Sequence, residues 1–266
     1  MYKILNKFLG TKYFDTLPRF ITRKIFKIFK IFFVETNLNS LPDKNHPTEI
    51  NKNQIEILKN NDNNFYKPFS TCSYLLELLT LYENSYKKKF SILDFGANNL
   101  DNYVYLNRYL ENWEYLYHDL PSYNSYIDKL IKEHNLKNIK VVNDIKTLNH
   151  ELDFVFFGSS IHYINNYKEI LKKISSIKSK FLIFSHTPFF TSNKSDKDIV
   201  VKQVNIHPTI NYAYLIEYNK FINFMEENNY RLISQNKNNF IKFLNFKNFK
   251  NYSFLSFLDL SFKYMD

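Results

Sequence analysis

Apolar positions fall in two alternating rhythms along most of this chain. From Ser73 to Tyr86 they follow a helical face, with Leu75, Leu76, Leu78, Leu79 and Leu81, closed by Lys87-Lys88-Lys89. Phe90-Ser91-Ile92-Leu93-Asp94-Phe95 is a short, nearly continuous apolar run that stops at Gly96, which predicts a buried strand, a tight turn and a helix to about Glu111. Strand-like Trp113–His118, helix-like Tyr123–His134, strand-like Ile139–Val142 and Leu152–Phe157, helix-like Tyr167–Ile177 and strand-like Phe181–Ser185 follow in order. Such alternation predicts parallel β/α units with helices on both faces of one doubly wound α/β sheet. The chain closes with a helical Phe221–Asn229, a strand Tyr230–Gln235 and an alternating hairpin partner, Tyr252–Lys263.

The N-terminal part reads differently. Pro18 precedes an Ile/Phe-rich run, Phe20 to Phe33, in which Lys24, Lys27 and Lys30 form a basic ridge on a helix beside Ile21, Ile25, Ile28, Phe29 and Phe32. Two readings stay open. Such a helix lies on an anionic bilayer surface, or it packs on the main domain and lets its lysines snorkel. Thr36 to about Tyr66 is dominated by Asn, Asp, Lys and Pro, with turn signals at Leu41-Pro42-Asp43 and His46-Pro47, and reads as a linker. The expected organisation is a basic helical extension and linker over residues 1–68 and one α/β domain over 69–266.

Composition narrows the class. With 44% hydrophobic and 18% aromatic residues in 266, the chain has ample core material, and disordered or collagen-like classes are out. The net charge of +10 points toward nucleic acid, an anionic membrane or an acidic substrate. Only Arg19, Arg23, Arg108 and Arg231 among the 36 basic residues are arginine, however, and a scattered lysine excess argues only weakly for specific nucleic-acid recognition and reads first as a solvated surface. The single cysteine, Cys72, excludes an internal disulfide framework and fits a reducing cytoplasm. No run approaches the ~18 apolar residues of a membrane span, and no secretory signal opens the chain, so the expected location is cytoplasmic.

Glycine placement marks a candidate site. The chain holds three glycines, and Gly96 and Gly158 directly follow predicted core strands. Backbone there must take positive φ or admit a close neighbour. In an open doubly wound sheet the ligand crevice lies at the carboxyl ends of the strands. Asp119 ends the second strand, where a carboxylate can accept from both hydroxyls of a ribose, and Asp144 follows the third, where an acid can accept from an adenine amino group.

These residues resemble the class I S-adenosylmethionine-dependent methyltransferases. The resemblance rests on Leu93-Asp94-Phe95-Gly96-Ala97-Asn98, His118-Asp119-Leu120-Pro121, Asn143-Asp144 and Leu152-Asp153-Phe154-Val155-Phe156-Phe157-Gly158-Ser159-Ser160-Ile161-His162-Tyr163, and covers Phe90 to the end. It implies a seven-stranded, mostly parallel, Rossmann-like sheet closed by an antiparallel strand pair. It also implies S-adenosylmethionine as cofactor, held by Asp94, Gly96, Ala97, Asn98, Asp119, Leu120, Asp144, Gly158, Ser159 and Ser160. A narrower likeness is to methyltransferases encoded among surface-polysaccharide genes. It rests on Ser185-His186-Thr187-Pro188-Phe189, Lys202-Gln203-Val204 and a Tyr-rich loop Asn211-Tyr212-Ala213-Tyr214, and implies a small or glycan-linked acceptor. The turn departs from the family pattern, with Ala97, Asn98 and Asn99 where further glycines are usual, and Asn98 and Asp101 break a G-x-G-x-x-G dinucleotide fingerprint.

A hydroxyl acceptor needs a base within hydrogen-bond reach, and His162 and His186 are the candidates, with Tyr163 to orient the acceptor. Each has a bland alternative as a cap or loop residue. No histidine or carboxylate spacing suggests a metal site, no nucleophile elbow occurs, and no N-P-P-Y-like sequence of nucleic-acid methyltransferases follows the fourth strand. The second reading, from a different class, is a non-catalytic protein of this fold that has lost the cofactor and acts as a membrane-peripheral partner in glycan assembly.

Overall fold

A computed structural model describes residues 2–29, 31–42, 73–148, 151–192, 197–204, 211–238, 249, 252 and 254–265. The expected linker beyond Pro42, the expected domain boundary at 68/69 and Cys72 lie outside these residues.

Ten strands are described: β1 Phe33–Glu35, β2 Phe90–Phe95, β3 Trp113–His118, β4 Ile139–Val141, β5 Phe154–Gly158, β6 Phe181–Thr191, β7 Ile199–Gln203, β8 Asn211–Glu217, β9 Tyr230–Lys237 and β10 Phe254–Tyr264. The helices are α1 Tyr2–Leu9, α2 Lys12–Asp15, α3 Arg19–Phe29, α4 Ser73–Tyr86, α5 Asp101–Leu106, α6 Pro121–Glu133, α7 Tyr167–Ser176 and α8 Tyr218–Glu227. Seven strands build the expected sheet in the order β4-β3-β2-β5-β6-β10-β9, all parallel except β10.

Strand periodicity explains the double winding. Every residue of β2 is buried, as a central parallel strand requires, and alternate side chains feed two separate cores. Phe90, Ile92, Trp113, Tyr115, Phe154 and Phe156 meet α4, α5 and α6, while Leu93, Phe95, Val155, Phe157, Leu182 and Phe184 meet α7 and α8.

The sheet is larger than expected, and the reason lies in β6. This strand runs on past Ser185, where the sequence pattern stops, to Thr191. Over Phe181–Ser185 one edge pairs with β5, yet at Phe189 and Phe190 the partners are β10 and β8. Because β10 holds the other edge throughout, β8 occupies the edge that β5 leaves free beyond its carboxyl end. On β8 are built β7 and then β1, both antiparallel, making a three-stranded cap beyond the carboxyl end of β5. Asn211–Tyr214 is therefore strand and not a loop. Ala213 and Leu215 point into a cluster with Phe33, Phe190, Val201 and Phe257, while Tyr212 and Tyr214 are only partly covered.

The extension is likewise not helical throughout. α3 ends at Phe29, and Ile31, Phe33 and Val34 are buried as the chain enters β1. Leu9, Phe14, Ile31 and Val34 share a core with Val204 of the main domain, so the extension packs against the cap.

At the amino ends of the strands, Asp153 accepts hydrogen bonds from Tyr82 Oη (2.7 Å), Ser91 N (2.9 Å) and Lys180 Nζ (2.7 Å). Burial alone would raise its carboxyl, but these donors, Lys180 foremost, outweigh that and hold it below its ordinary value. Asp153→Ala leaves buried donors unpaired and is expected to lower the unfolding free energy by about 2 kcal/mol in urea denaturation, without changing ligand binding at the opposite end of the sheet.

Candidate functional site

The carboxyl ends of β3, β2 and β5 stand side by side at one end of the sheet. Gly96 turns the chain out of β2 with φ +70°, and its N–H donates to His118 O at 2.8 Å. A Cβ on Gly96 would stand 2.6 Å from Ser160 Cβ, so the close neighbour that this glycine admits is Ser160. Ser160 in turn donates its hydroxyl to Phe95 O at 2.6 Å, locking the end of β2 to the segment after β5. Ser159, next to Gly158, takes φ +60° and donates its N–H to Ser185 O at 2.9 Å, adding β6 to the junction.

The turn after Gly96 follows the same logic. Ala97 is buried, whereas Asn98 is exposed and adopts φ +60°, which asparagine tolerates. Asn98 N donates to Asp119 Oδ2 and Leu120 N to Asp119 Oδ1, both at 2.6 Å. The Asp119 carboxylate is thereby fixed, half-exposed, beside the turn, and each of its oxygens can accept more than one hydrogen bond. Asn124, buried on α6, accepts from Asp119 N at 2.9 Å and donates to Val142 O. Asn124 is a supporting residue with no distinguishing signal in the sequence. Asp144 is exposed and accepts from Lys146 N at 2.9 Å, capping the short turn Ile145–Thr147.

Asp94 lies one layer deeper. Its Oδ2 accepts from Asn102 Nδ2 at 2.8 Å and from the Tyr115 hydroxyl, while Oδ1 has no hydrogen-bond partner among the described residues. Burial pushes its carboxyl up to about 6 against these hydrogen bonds, with a smaller push from the Asp119 charge. The Tyr117 hydroxyl on the neighbouring strand likewise has no hydrogen-bond partner among the described residues, and burial raises it too.

His162, Tyr163 and His186 lie at the junction with the cap. His162 and His186 are only 1% and 4% exposed, so neither ring reaches solvent. Burial, with a contribution from the neighbouring His186, lowers His162 to about 3, so its imidazole is neutral at physiological pH. The His162 Nδ1 has no hydrogen-bond partner among the described residues. Tyr163 donates to Gln203 Oε1 of β7 at 2.8 Å and packs on the cap cluster.

His186 takes φ +51° in the middle of β6, at a bulge where Asp259 of β10 faces Ser185 and His186. Asp259 Oδ1 accepts from Ser185 Oγ and His186 N, each at 2.9 Å, and from Asn238 Nδ2 at 3.1 Å. Asp259 was not among the expected site residues. Its signal was an acid set between Leu258 and Leu260 in an otherwise apolar stretch.

The structure thus joins Gly96 to Ser160, and Asn98 and Leu120 to Asp119, through direct contacts, sets Asp94 one layer deeper on Asn102 and Tyr115, and places His162, Tyr163 and His186 at the cap. A separate, solvent-open cleft of about 480 Å³ is lined by Lys146, Glu151, Lys173 and Lys178 and includes none of the expected site residues.

The strand order, the parallel direction and the antiparallel closing pair define a Rossmann-like methyltransferase fold. Among solved structures, the chain is similar to the N-terminal domain of EvdMO1 with SAH bound, at a TM-score of 0.51 and 10% identity over 83% of this chain and 100% of that one. The same domain crystallised in the presence of SAH and D-fucose gives a TM-score of 0.50 and 11% identity, with equal coverage. At such identity the likeness is one of fold. No family model matches the chain, and no curated protein matches its sequence.

Proposed function

We propose that this protein is an S-adenosylmethionine-dependent methyltransferase acting on a small or glycan-linked acceptor in the cytoplasm, in surface-polysaccharide biosynthesis. The observation that carries the reading is the Asp119 carboxylate, fixed at the end of β3 by the backbone of the Gly96–Asn98 turn and half-open beside buried Asp94. That geometry suits a ribose diol, and the unpaired Asp94 Oδ1 and Tyr117 hydroxyl supply polar groups at the same strand ends.

The cofactor, when bound, supplies an electrophilic methyl group. Asp119 would hold the ribose hydroxyls, the Gly96–Asn98 backbone would shape the contact surface, and Asp144 would meet the adenine side. His162, neutral at working pH, is in the protonation state of a base, and Tyr163 and His186 line the same junction. The solved EvdMO1 domain, crystallised with SAH and D-fucose, lends support to a sugar acceptor.

The non-catalytic reading is favoured by one observation: both histidine rings are enclosed. Calorimetric titration with S-adenosylmethionine and S-adenosylhomocysteine separates the two. Micromolar binding, weakened at least about tenfold in Asp119→Ala, is the expected result, since a carboxylate hydrogen-bonded to two hydroxyls contributes about 1.5–3 kcal/mol. Absence of binding to folded protein at millimolar ligand would overturn the methyltransferase reading.

A further inference from the structure

The N-terminal extension combines three properties that no role in methyl transfer requires. The first is exposed apolar side chains. Ile4, Tyr13, Phe20 and Ile28 are 76%, 79%, 64% and 72% exposed, with Phe8 also exposed, and these five stand within 25 consecutive residues. On α3 the exposed Phe20, Lys24 and Ile28 recur every fourth residue and form one outward stripe. The opposite side, Thr22, Ile25 and Phe29, faces inward, and Ile25 and Phe29 pack on the Leu9, Phe14, Ile31 and Val34 cluster. On α1 the exposed Ile4, Lys7 and Phe8 share a face in the same way, while Leu9 is buried. Inward packing and an apolar outward stripe therefore coexist.

The second property is charge. Residues 1–30 carry eight basic side chains and one acid, so seven of the chain's ten net positive charges belong to this short segment. The third is attachment. The one acid, Asp15, is hydrogen-bonded to Lys202 of β7, whose buried ammonium also donates to Leu9 O at 3.4 Å, and the segment continues into β1 of the cap. The extension is thus fixed to the cap sheet.

We propose that the outward face of α1–α3 docks this protein on an anionic lipid surface, with Ile4, Phe8, Tyr13, Phe20 and Ile28 entering the headgroup boundary and the exposed Lys7 and Lys24 meeting lipid phosphates. Basic residues interleaved with aromatic and aliphatic anchors match such an interface. A second copy of the chain is a poor occupant, because two faces with this charge repel. Nucleic acid is another, because Ile4 and Ile28 have nothing to pair or stack with and the segment holds only two arginines. The inference does not rest on the methyltransferase reading.

Co-sedimentation of the full chain with lipid vesicles tests it. The wild-type protein is expected to bind phosphatidylserine/phosphatidylcholine vesicles at least about tenfold more tightly than phosphatidylcholine alone, and to be released by salt. Ile4→Ser with Phe20→Ser and Ile28→Ser should lower that affinity by at least about tenfold with an unchanged thermal melt, since all three side chains already face solvent. Lys7→Glu with Lys24→Glu should remove most of the preference for phosphatidylserine. Absence of vesicle binding overturns the proposal, as does binding that the apolar variant leaves unchanged. Concentration-dependent dimerisation that the apolar variant abolishes, without vesicle binding, would assign the face to a second copy. Tighter association with single-stranded RNA than with vesicles would assign it to nucleic acid.

Discussion

Replacing Asp94 by Asn is expected to remove a stability term that declines between about pH 4 and pH 6, and to weaken cofactor binding. Asp94 is fully enclosed, and its carboxyl stands at about 6 in the folded state against an ordinary value of 3.8. Between those values the folded protein keeps a proton that the unfolded chain has lost. Its contribution to stability therefore declines as pH rises from about 4 to about 6 and is level above that. A shift of this size corresponds to about 3 kcal/mol. Unfolding free energies of wild type and Asp94→Asn, measured from pH 4 to pH 8, should differ by a term that grows over that window and then stays constant. Parallel profiles would show that Asp94 is not the buried charge that its surroundings indicate. The same variant should bind S-adenosylmethionine more weakly, because the site loses one of its two neighbouring carboxylates.

Gly96→Ala is the second large effect. The new methyl would enter a position 2.6 Å from Ser160 Cβ, and alanine would have to hold φ +70°. Left-handed backbone costs about 1–2 kcal/mol and overpacking about 1–3 kcal/mol, so urea denaturation should show a loss of about 3 kcal/mol. Adding Ser160→Gly removes the clash but keeps the backbone strain. The double variant should therefore recover about half of the loss, even though it gives up the Ser160 hydrogen bond to Phe95 O. If Ser160→Gly brings no recovery, the contact between the two residues is not what selects glycine. Ligand affinity should follow the same order, because this contact positions the turn that holds Asp119.

The two substitutions address different parts of one junction. Gly96 and Ser160 set the path of the chain, while Asp94 places a carboxylate in an interior that disfavours its charge. A buried acid with one oxygen unpaired is a destabilising feature that packing alone does not explain, which is why its removal separates stability from binding.

Much of this was determined by the sequence by itself. The parallel α/β core follows from apolar periodicity, because parallel strands buried on both faces must read as short apolar runs and their covering helices must be amphipathic; the count of seven strands came from the resemblance to the class I methyltransferases. Trp113–His118 and Ser73–Tyr86 have the same bounds in pattern and structure. Gly96 and Asp119 were legible because glycine is scarce here and an acid at a strand end is visible in the chain.

Only the tertiary structure decided the rest. The cap escaped because β1, β7 and β8 are short strands distant in sequence, and their pairing depends on an edge that becomes available only where β5 stops. Asp259 and Asn124 escaped because their partners, Ser185 and His186 in one case and Asp119 and Val142 in the other, are set by register and helix placement rather than by spacing. The enclosure of His162 and His186, and the division of the N-terminal helices into an inward and an outward face, likewise arise from long-range packing. Local pattern carries the preference of each segment, but burial and hydrogen-bond partners are properties of the assembled chain.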